Sequence, residues 1–267
     1  MEKIAFIGAG NMAEALIRGM ISNRLVSPEE IIAGEIDAGR RGFLRRELGI
    51  RVTGDNREAV EGSGIVVLAV KPQDLETVLG EIGEGIGGGN LLISILAGVS
   101  TRRLEAELGP EVPVVRAMPN TPALVGAGVS VISPGRAAGE DALATARTIL
   151  EAVGEVRVLE EELLDAVTAL SGSGPAYLLL FIEAMARAGE RMGLPREEAV
   201  SLAARTLSGT GRLLQTSGRE AGELRRQVTS PGGTTEAALK VFEEQGLERI
   251  VAEAMAAARD RSGELGG

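Results

Sequence analysis

The sequence predicts an α/β protein: a mostly parallel sheet flanked by helices over residues 1–160, then an all-α half over residues 161–267. Three observations carry this. Short β-branched runs alternate with helical segments through the first ~155 residues, the pattern of a parallel α/β sheet. One of these runs, 65–70, is apolar throughout, as a strand buried on both faces must be. Beyond Glu160 no alternating strand pattern returns, and long helical stretches punctuated by Gly and Pro take over. A length of 267 residues agrees with two domains at about 150 residues each.

Taken in order, the predicted strands are 3–7, 30–33, 51–53, 65–70, 91–95, 112–116 and 129–132, with 155–158 as a short closing strand. Helical stretches lie between them at 12–22, 40–48, 57–61, 73–82, 101–108 and 140–153. In the second half, Pro175 and Pro195 suit the first turn of two helices, where a missing N–H costs nothing. The stretch 176–192 is apolar over most of its circumference, including Tyr177, Leu178, Leu179, Leu180, Phe181 and Ile182. Such a helix needs cover on nearly all sides, more than a small bundle supplies, so a subunit interface is expected here. The tail 261–267 is expected to fray.

Composition excludes several kinds of chemistry. There is no Cys and no His, so a disulfide framework, a thiol nucleophile and an imidazole base are all ruled out, and no metal site is expected. A net charge of −10 and 2% aromatics speak against nucleic-acid binding. The longest uninterrupted apolar run, 176–182, falls well below the ~20 residues that cross a bilayer, so no membrane association is expected. The first residues lack a basic leader, and a cytoplasmic location is the expectation. Any chemistry must come from a bound cofactor, backbone dipoles, hydroxyls, carboxylates, three lysines or Tyr177.

A first strand running into Gly8-Ala-Gly10-Asn11-Met12-Ala13 is a G-x-G-x-x-A turn opening a helix. Gly8 permits the tight turn, Gly10 lets a pyrophosphate approach the backbone, and Ala13 lets helix and strand pack closely. The N–H groups at the helix start then face the phosphate charge. This makes the first half a Rossmann-type dinucleotide-binding domain. At the end of the second strand stands Glu35. It either bonds the ribose hydroxyls and repels a 2′-phosphate, favouring NADH, or is a surface acid, while Arg40 and Arg41 nearby pull toward NADPH. Val70, Lys71 and Pro72 lie at the carboxyl end of the buried strand, where open α/β sheets bind ligands. Lys71 is either a cofactor contact or a solvated surface lysine. Asn120, between Pro119 and Pro122, sits in a stiff loop that can hold a carboxamide against a nicotinamide or simply connect two strands.

In the second half, Val228-Thr-Ser230-Pro-Gly232-Gly233-Thr234-Thr235 ends one helix and begins another. The N–H groups of Gly232, Gly233, Thr234 and Thr235 can converge as a receptor for a carboxylate or phosphate. The plainer reading is a helix capped by Thr234 or Thr235. Residues 170–177 form a second Gly/Ser-rich helix start, either a ligand wall or a tight helix crossing.

Together, the motifs at 7–13, 69–72, 116–122, 171–177 and 228–235 resemble pyrroline-5-carboxylate reductases, in the right order over nearly the whole chain. The resemblance implies reduction of the cyclic imine 1-pyrroline-5-carboxylate to L-proline by NADPH or NADH. It implies a helical dimerisation domain and a homodimer, which in many members assembles into a decamer. It also implies that Ser230, Gly232, Gly233 and Thr234 receive the substrate carboxylate, with Thr235 beside the ring nitrogen as the catalytic contact. Asn56, Val70, Lys71 and Pro72 fall on the adenosine side of the cofactor, and Ala97, Gly98 and Asn120 near the nicotinamide. Glu35 departs from the small polar residue common in the family and leaves cofactor preference open. Two other readings compete: a 3-hydroxyacid dehydrogenase, and a nucleotide-sensing module without catalysis. The first usually needs a lysine in the helical half, where this chain offers only Lys240 in an unlike setting. The second has no use for a carboxylate receptor.

Overall fold

The computed structural model describes residues 2–266. Eight strands form one sheet: β1 (Ile4–Ile7), β2 (Ile31–Gly34), β3 (Arg51–Thr53), β4 (Ile65–Leu68), β5 (Leu91–Ser94), β6 (Val114–Met118), β7 (Gly128–Pro134) and β8 (Gly154–Val158). Their order is β3-β2-β1-β4-β5-β6-β7-β8. The sheet is parallel except where β7 runs antiparallel to β6, pairing Ala117 with Ile132 and Met118 with Val131. Strand order reverses between β1 and β4, which makes their carboxyl ends the switch point of a doubly wound sheet.

The helices of this half are α1 (Asn11–Ser22), α2 (Ala38–Leu48), α3 (Asn56–Val60), α4 (Leu75–Ile82), α5 (Thr101–Leu108) and α6 (Glu140–Glu151). They cover both faces because every residue of β1, β2, β4 and β5 is buried. Alternate side chains go to opposite faces. Ile4, Phe6, Ile65 and Val67 pack with Leu16, Ile17 and Met20 of α1 and Ile149 of α6. Ala5, Ile7, Val66 and Leu68 pack on the other side with Leu75, Leu79 and Ile82 of α4 and Leu104 of α5. Each such large side chain contributes roughly 1.5–3 kcal/mol on burial.

All eight expected strands form; 51–53 keeps its ends and the others shift by one or two residues. β4 stops at Leu68, and Ala69 and Val70 leave the sheet toward a 3-10 turn at Pro72–Asp74. β6 begins two residues late and runs to Met118 because β7 pairs with its second half. That antiparallel pairing was invisible to local periodicity.

The chain divides into two compact units: Met1–Ser173 together with Ala257–Gly267, and Gly174–Ala256. The expected boundary after residue 160 therefore differs from the compact division. The turn at Glu161–Leu163, a short helix α7 (Leu164–Val167) and a π-turn at Thr168–Gly172 all belong to the first unit. The second unit contains α8 (Gly174–Arg191), α9 (Arg196–Ser217), α10 (Ala221–Gln227), α11 (Thr234–Glu244) and the first part of α12 (Leu247–Gly266). α8 and α9 cross closely where Gly189 faces Ala199. A Cβ at Gly189 would stand 3.2 Å from the Ala199 Cβ. Pro195 is the N-cap of α9 rather than a first-turn residue.

One further expectation is corrected. The tail, expected to be loose, is helical through Gly266 with Ser262 buried, and residue 267 lies outside the described residues. Glu161–Arg191 is also a helical run long and apolar enough, by length and composition alone, to cross a membrane. The uninterrupted apolar run 176–182 is bounded by Pro175 and Glu183, which both lie inside α8.

Candidate functional site

The candidate dinucleotide turn is built by β1 and α1. Gly8 adopts φ +85°, a left-handed conformation that side chains strain to reach. Its N–H donates to the Gly34 carbonyl (2.9 Å). A Cβ there would stand 2.8 Å from both the Ala69 carbonyl and Val70 Cγ1, so Gly8 brings the ends of β1 and β4 together. Gly10 is different. It is the N-cap of α1 with an ordinary φ of −68°, and nothing lies within 4 Å of where its Cβ would be. Internal packing does not require a glycine there. The first N–H groups of α1, at Asn11 and Met12, have no intrahelical acceptors and open onto that space. Asn11 is exposed, Met12 half-buried and Ala13 fully buried against the sheet.

Glu35 is tied to this turn. One carboxylate oxygen accepts from the Ala9 N–H (3.1 Å) and the other from the Asp37 N–H (3.0 Å). Arg40 Nε donates to the Ala9 carbonyl (2.7 Å) and Nη2 to Glu14 (2.6 Å), with the guanidinium over the Phe43 ring. Arg41 donates to the carbonyls of Glu35 and Ile36. Both arginines are thus committed within the chain. At Glu14, burial pushes the carboxyl up, but the hydrogen bonds and charges of Arg18 and Arg40 outweigh it and hold it below its usual range. Sequence reading missed the Glu14–Arg40 pair, since nothing local relates residues 26 positions apart.

Asn56 begins α3 and fills the space beside Gly34, where a Cβ would stand 2.3 Å from Asn56 Oδ1. Asn56 Nδ2 donates to Glu81 (2.7 Å). Val70 and Pro72 are half-buried beyond β4, and Lys71 is exposed with no ion pair among the described residues. The turn at Ala97 and Gly98 follows β5, next to β4, on the same carboxyl edge. Asn120 is buried and its carboxamide is engaged within the chain: Oδ1 accepts from the Val129 N–H (2.9 Å) and Nδ2 donates to the Ser171 carbonyl (3.2 Å). Gly172 lies close to Met118 at the end of β6, where a Cβ would stand 3.2 Å from the sulfur.

In the second unit, Gly232 takes φ +70° and Gly233 is the N-cap of α11. Neither threonine caps the helix; Thr234 and Thr235 are its first two residues. The four N–H groups do not all remain available. Gly233 donates to the Ser230 carbonyl (3.0 Å) and Gly232 to Glu236 (2.7 Å). Those of Thr234 and Thr235 have no intrahelical acceptor and are the free donors of an eleven-residue helix. Ser230 and Thr234 are exposed and Thr235 half-buried. Glu236 was missed in the sequence, although its place three residues after the N-cap is the usual signal for a side chain that reaches back.

The family profile "Pyrroline-5-carboxylate reductase dimerisation" matches residues 161–265, and "NADP oxidoreductase coenzyme F420-dependent" matches residues 3–98. A pyrroline-5-carboxylate reductase of Synechocystis is 46% identical over 99% of this chain and 98% of its own length, and that of Pseudomonas aeruginosa is 44% identical over 98% and 96%. The solved reductase of Coxiella burnetii superposes with a TM-score of 0.90 at 37% identity over 100% of this chain and 99% of its own. The Plasmodium falciparum enzyme, solved with NADP bound, superposes at 0.91 and 30% identity over 100% and 98%. With a shared fold, full-length coverage and identities of this size, the chain belongs to the pyrroline-5-carboxylate reductase family.

Proposed function

We propose that this protein reduces the C=N bond of 1-pyrroline-5-carboxylate to give L-proline, the last step of proline synthesis, using NADPH or NADH. The observation that carries the reading is the 230–235 turn. In a chain of this family it opens α11 with two free N–H donors and the Thr235 hydroxyl together. The bound nicotinamide supplies the hydride. The protein holds the imine by its carboxylate on the N–H groups of Thr234 and Thr235, with Ser230, Gly232 and Gly233 shaping the turn. Thr235 stands beside the ring nitrogen as the amine forms. No imidazole is needed, because an imine protonated on nitrogen is already an electrophile, and the cofactor carries the difficult step. Gly8, Gly10, Asn11, Met12 and Ala13 would hold the dinucleotide, with Asn56, Val70, Lys71 and Pro72 for its adenosine end and Ala97, Gly98 and Asn120 for its nicotinamide end. Saturable formation of proline from pyrroline-5-carboxylate tests this. Cofactor binding without turnover would overturn it in favour of a sensing module.

NADH is used well, because Glu35 faces the glycine turn while Arg40 and Arg41 are occupied elsewhere. Glu35→Ser is expected to shift the ratio of kcat/KM toward NADPH by roughly 1–2 kcal/mol, on the scale of one charged hydrogen bond. An unchanged ratio would return Glu35 to the status of a surface acid.

The protein works as a homodimer, with a decamer of the family type built from it, in the cytoplasm. The dimer is supported by α8, where Leu178, Leu179, Leu180 and Phe181 are 40–65% exposed in the single chain. A second copy, not lipid, covers that face. Leu179→Asp places a charge in the interface and is expected to lower the mass measured by light scattering. An unchanged mass in this variant would show that α8 lies outside the contact.

A further inference from the structure

The turn at Ala97 and Gly98 is not held by its neighbours in sequence. Gly98 is buried at φ +78°, and it rests on the last turn of α12, more than 160 residues away. A Cβ at Gly98 would stand 2.1 Å from the Ser262 carbonyl oxygen and 2.9 Å from the Gly266 nitrogen. A Cβ at Gly266 would meet the Gly98 carbonyl oxygen at 2.1 Å. The two segments therefore touch through backbone, glycine against glycine.

Side chains fix this contact from both ends. Arg103, in the first turn of α5, donates from Nη1 to the Gly266 carbonyl (2.8 Å). Ser262 Oγ donates to Asp165 Oδ1 (2.9 Å), which also accepts from Arg116 Nη2 (2.9 Å). Arg116 is buried in β6, and its Nη1 reaches Glu161 at 3.5 Å. Glu161 in turn accepts from the N–H and hydroxyl of Thr101 (2.7 and 2.6 Å), where the loop after β5 enters α5. The loop from Ala97 to Thr101 is thus clamped between α12 and the acidic pair that Arg116 neutralises.

We infer that residues 262–266 of α12, held by Arg103 and Ser262, position the Gly98 turn for the nicotinamide end of the cofactor, so that helix docking and cofactor binding are coupled. This rests on the reading of Ala97 and Gly98 as part of the cofactor wall. Arg103 and Ser262 are positioning residues and touch no substrate. The physical argument is reciprocity. A helix end opens at little cost, so a modest free energy shifts it. If a docked helix end gives the turn its binding shape, a bound cofactor must stabilise the docked helix end by the same factor.

Hydrogen exchange of the full chain, read by mass spectrometry with and without saturating NADH or NADPH, tests both directions. Exchange at 97–101 and at 262–266 is expected to slow together, by about fivefold or more. Arg103→Gln is expected to speed exchange at 262–266 and to raise the cofactor Kd and KM by a similar factor, leaving KM for pyrroline-5-carboxylate nearly unchanged; Arg103→Lys restores part of the loss. Ser262→Ala is expected to act in the same direction. Protection of 97–101 without 262–266 would overturn the coupling alone. So would an Arg103→Gln protein with lowered melting temperature but normal cofactor affinity. Bound cofactor that protects neither segment would overturn the underlying reading of the turn as well.

Discussion

Gly10→Thr is expected to leave the melting temperature nearly unchanged while weakening dinucleotide binding by about tenfold or more. Threonine is as acceptable as glycine at an N-cap, so the start of α1 loses little. Its φ of −68° suits any residue, and no atom of the chain lies within 4 Å of the new Cβ. The added bulk falls only on whatever approaches the helix N-terminus from outside. Gly8→Ala is the counterpart with the opposite profile. It demands a left-handed residue, at roughly 1–2 kcal/mol, and drives a methyl group against the Ala69 carbonyl and Val70. That variant should melt earlier as well as bind weakly. Calorimetry and cofactor titration on both proteins read the contrast. A Gly10→Thr enzyme with unchanged cofactor affinity would show that the space above α1 is not where the pyrophosphate lies.

In the turn before α11, Thr235→Val is expected to lower kcat by about 10-fold to 100-fold with the fold intact, since valine keeps the shape and removes only the hydroxyl. Gly233→Val acts elsewhere. A Cβ at Gly233 would stand 3.0 Å from the Ser230 carbonyl, so the turn must yield. The free N–H groups that follow it move with it. Charge-assisted hydrogen bonds worth ~1.5–3 kcal/mol each are then lost, and KM for pyrroline-5-carboxylate should rise steeply while cofactor binding stays close to normal. An ordinary helix start predicts the reverse, with lower stability and full activity per folded molecule. Kinetics normalised to folded protein, beside a melting curve, separate the two. Normal turnover in Thr235→Val would remove this turn from the site.

Several elements were legible because their signals are local. The fully apolar run that became β4, the G-x-G-x-x-A turn and the glycine pair at 232–233 each state a backbone or burial requirement within a few residues. Other readings depended on distant partners. The partners of the Asn120 carboxamide, the Val129 N–H and the Ser171 carbonyl, lie outside its loop and were not legible. Gly232 and Gly233 looked like open donors, yet Glu236 and the Ser230 carbonyl accept from them. The tail was expected to be loose as chain ends usually are, but Ser262 and the Gly266 carbonyl find Asp165 and Arg103.

By itself, the sequence determined the order and type of the elements, the sheet with its helical second half, the dinucleotide turn, the turn before α11 and the family. Periodicity and glycine placement encode the elements and the two turns within one or two turns of chain, whereas the family rests on the resemblance of the whole set of motifs. Tertiary structure alone decided that β7 runs antiparallel, that Arg40 and Arg41 are tied within the chain, and that α12 returns to Gly98. Each depends on which elements become neighbours across tens to hundreds of residues. A side chain's hydrogen bonds are set by that neighbourhood, whereas its helix or strand is set by the residues beside it.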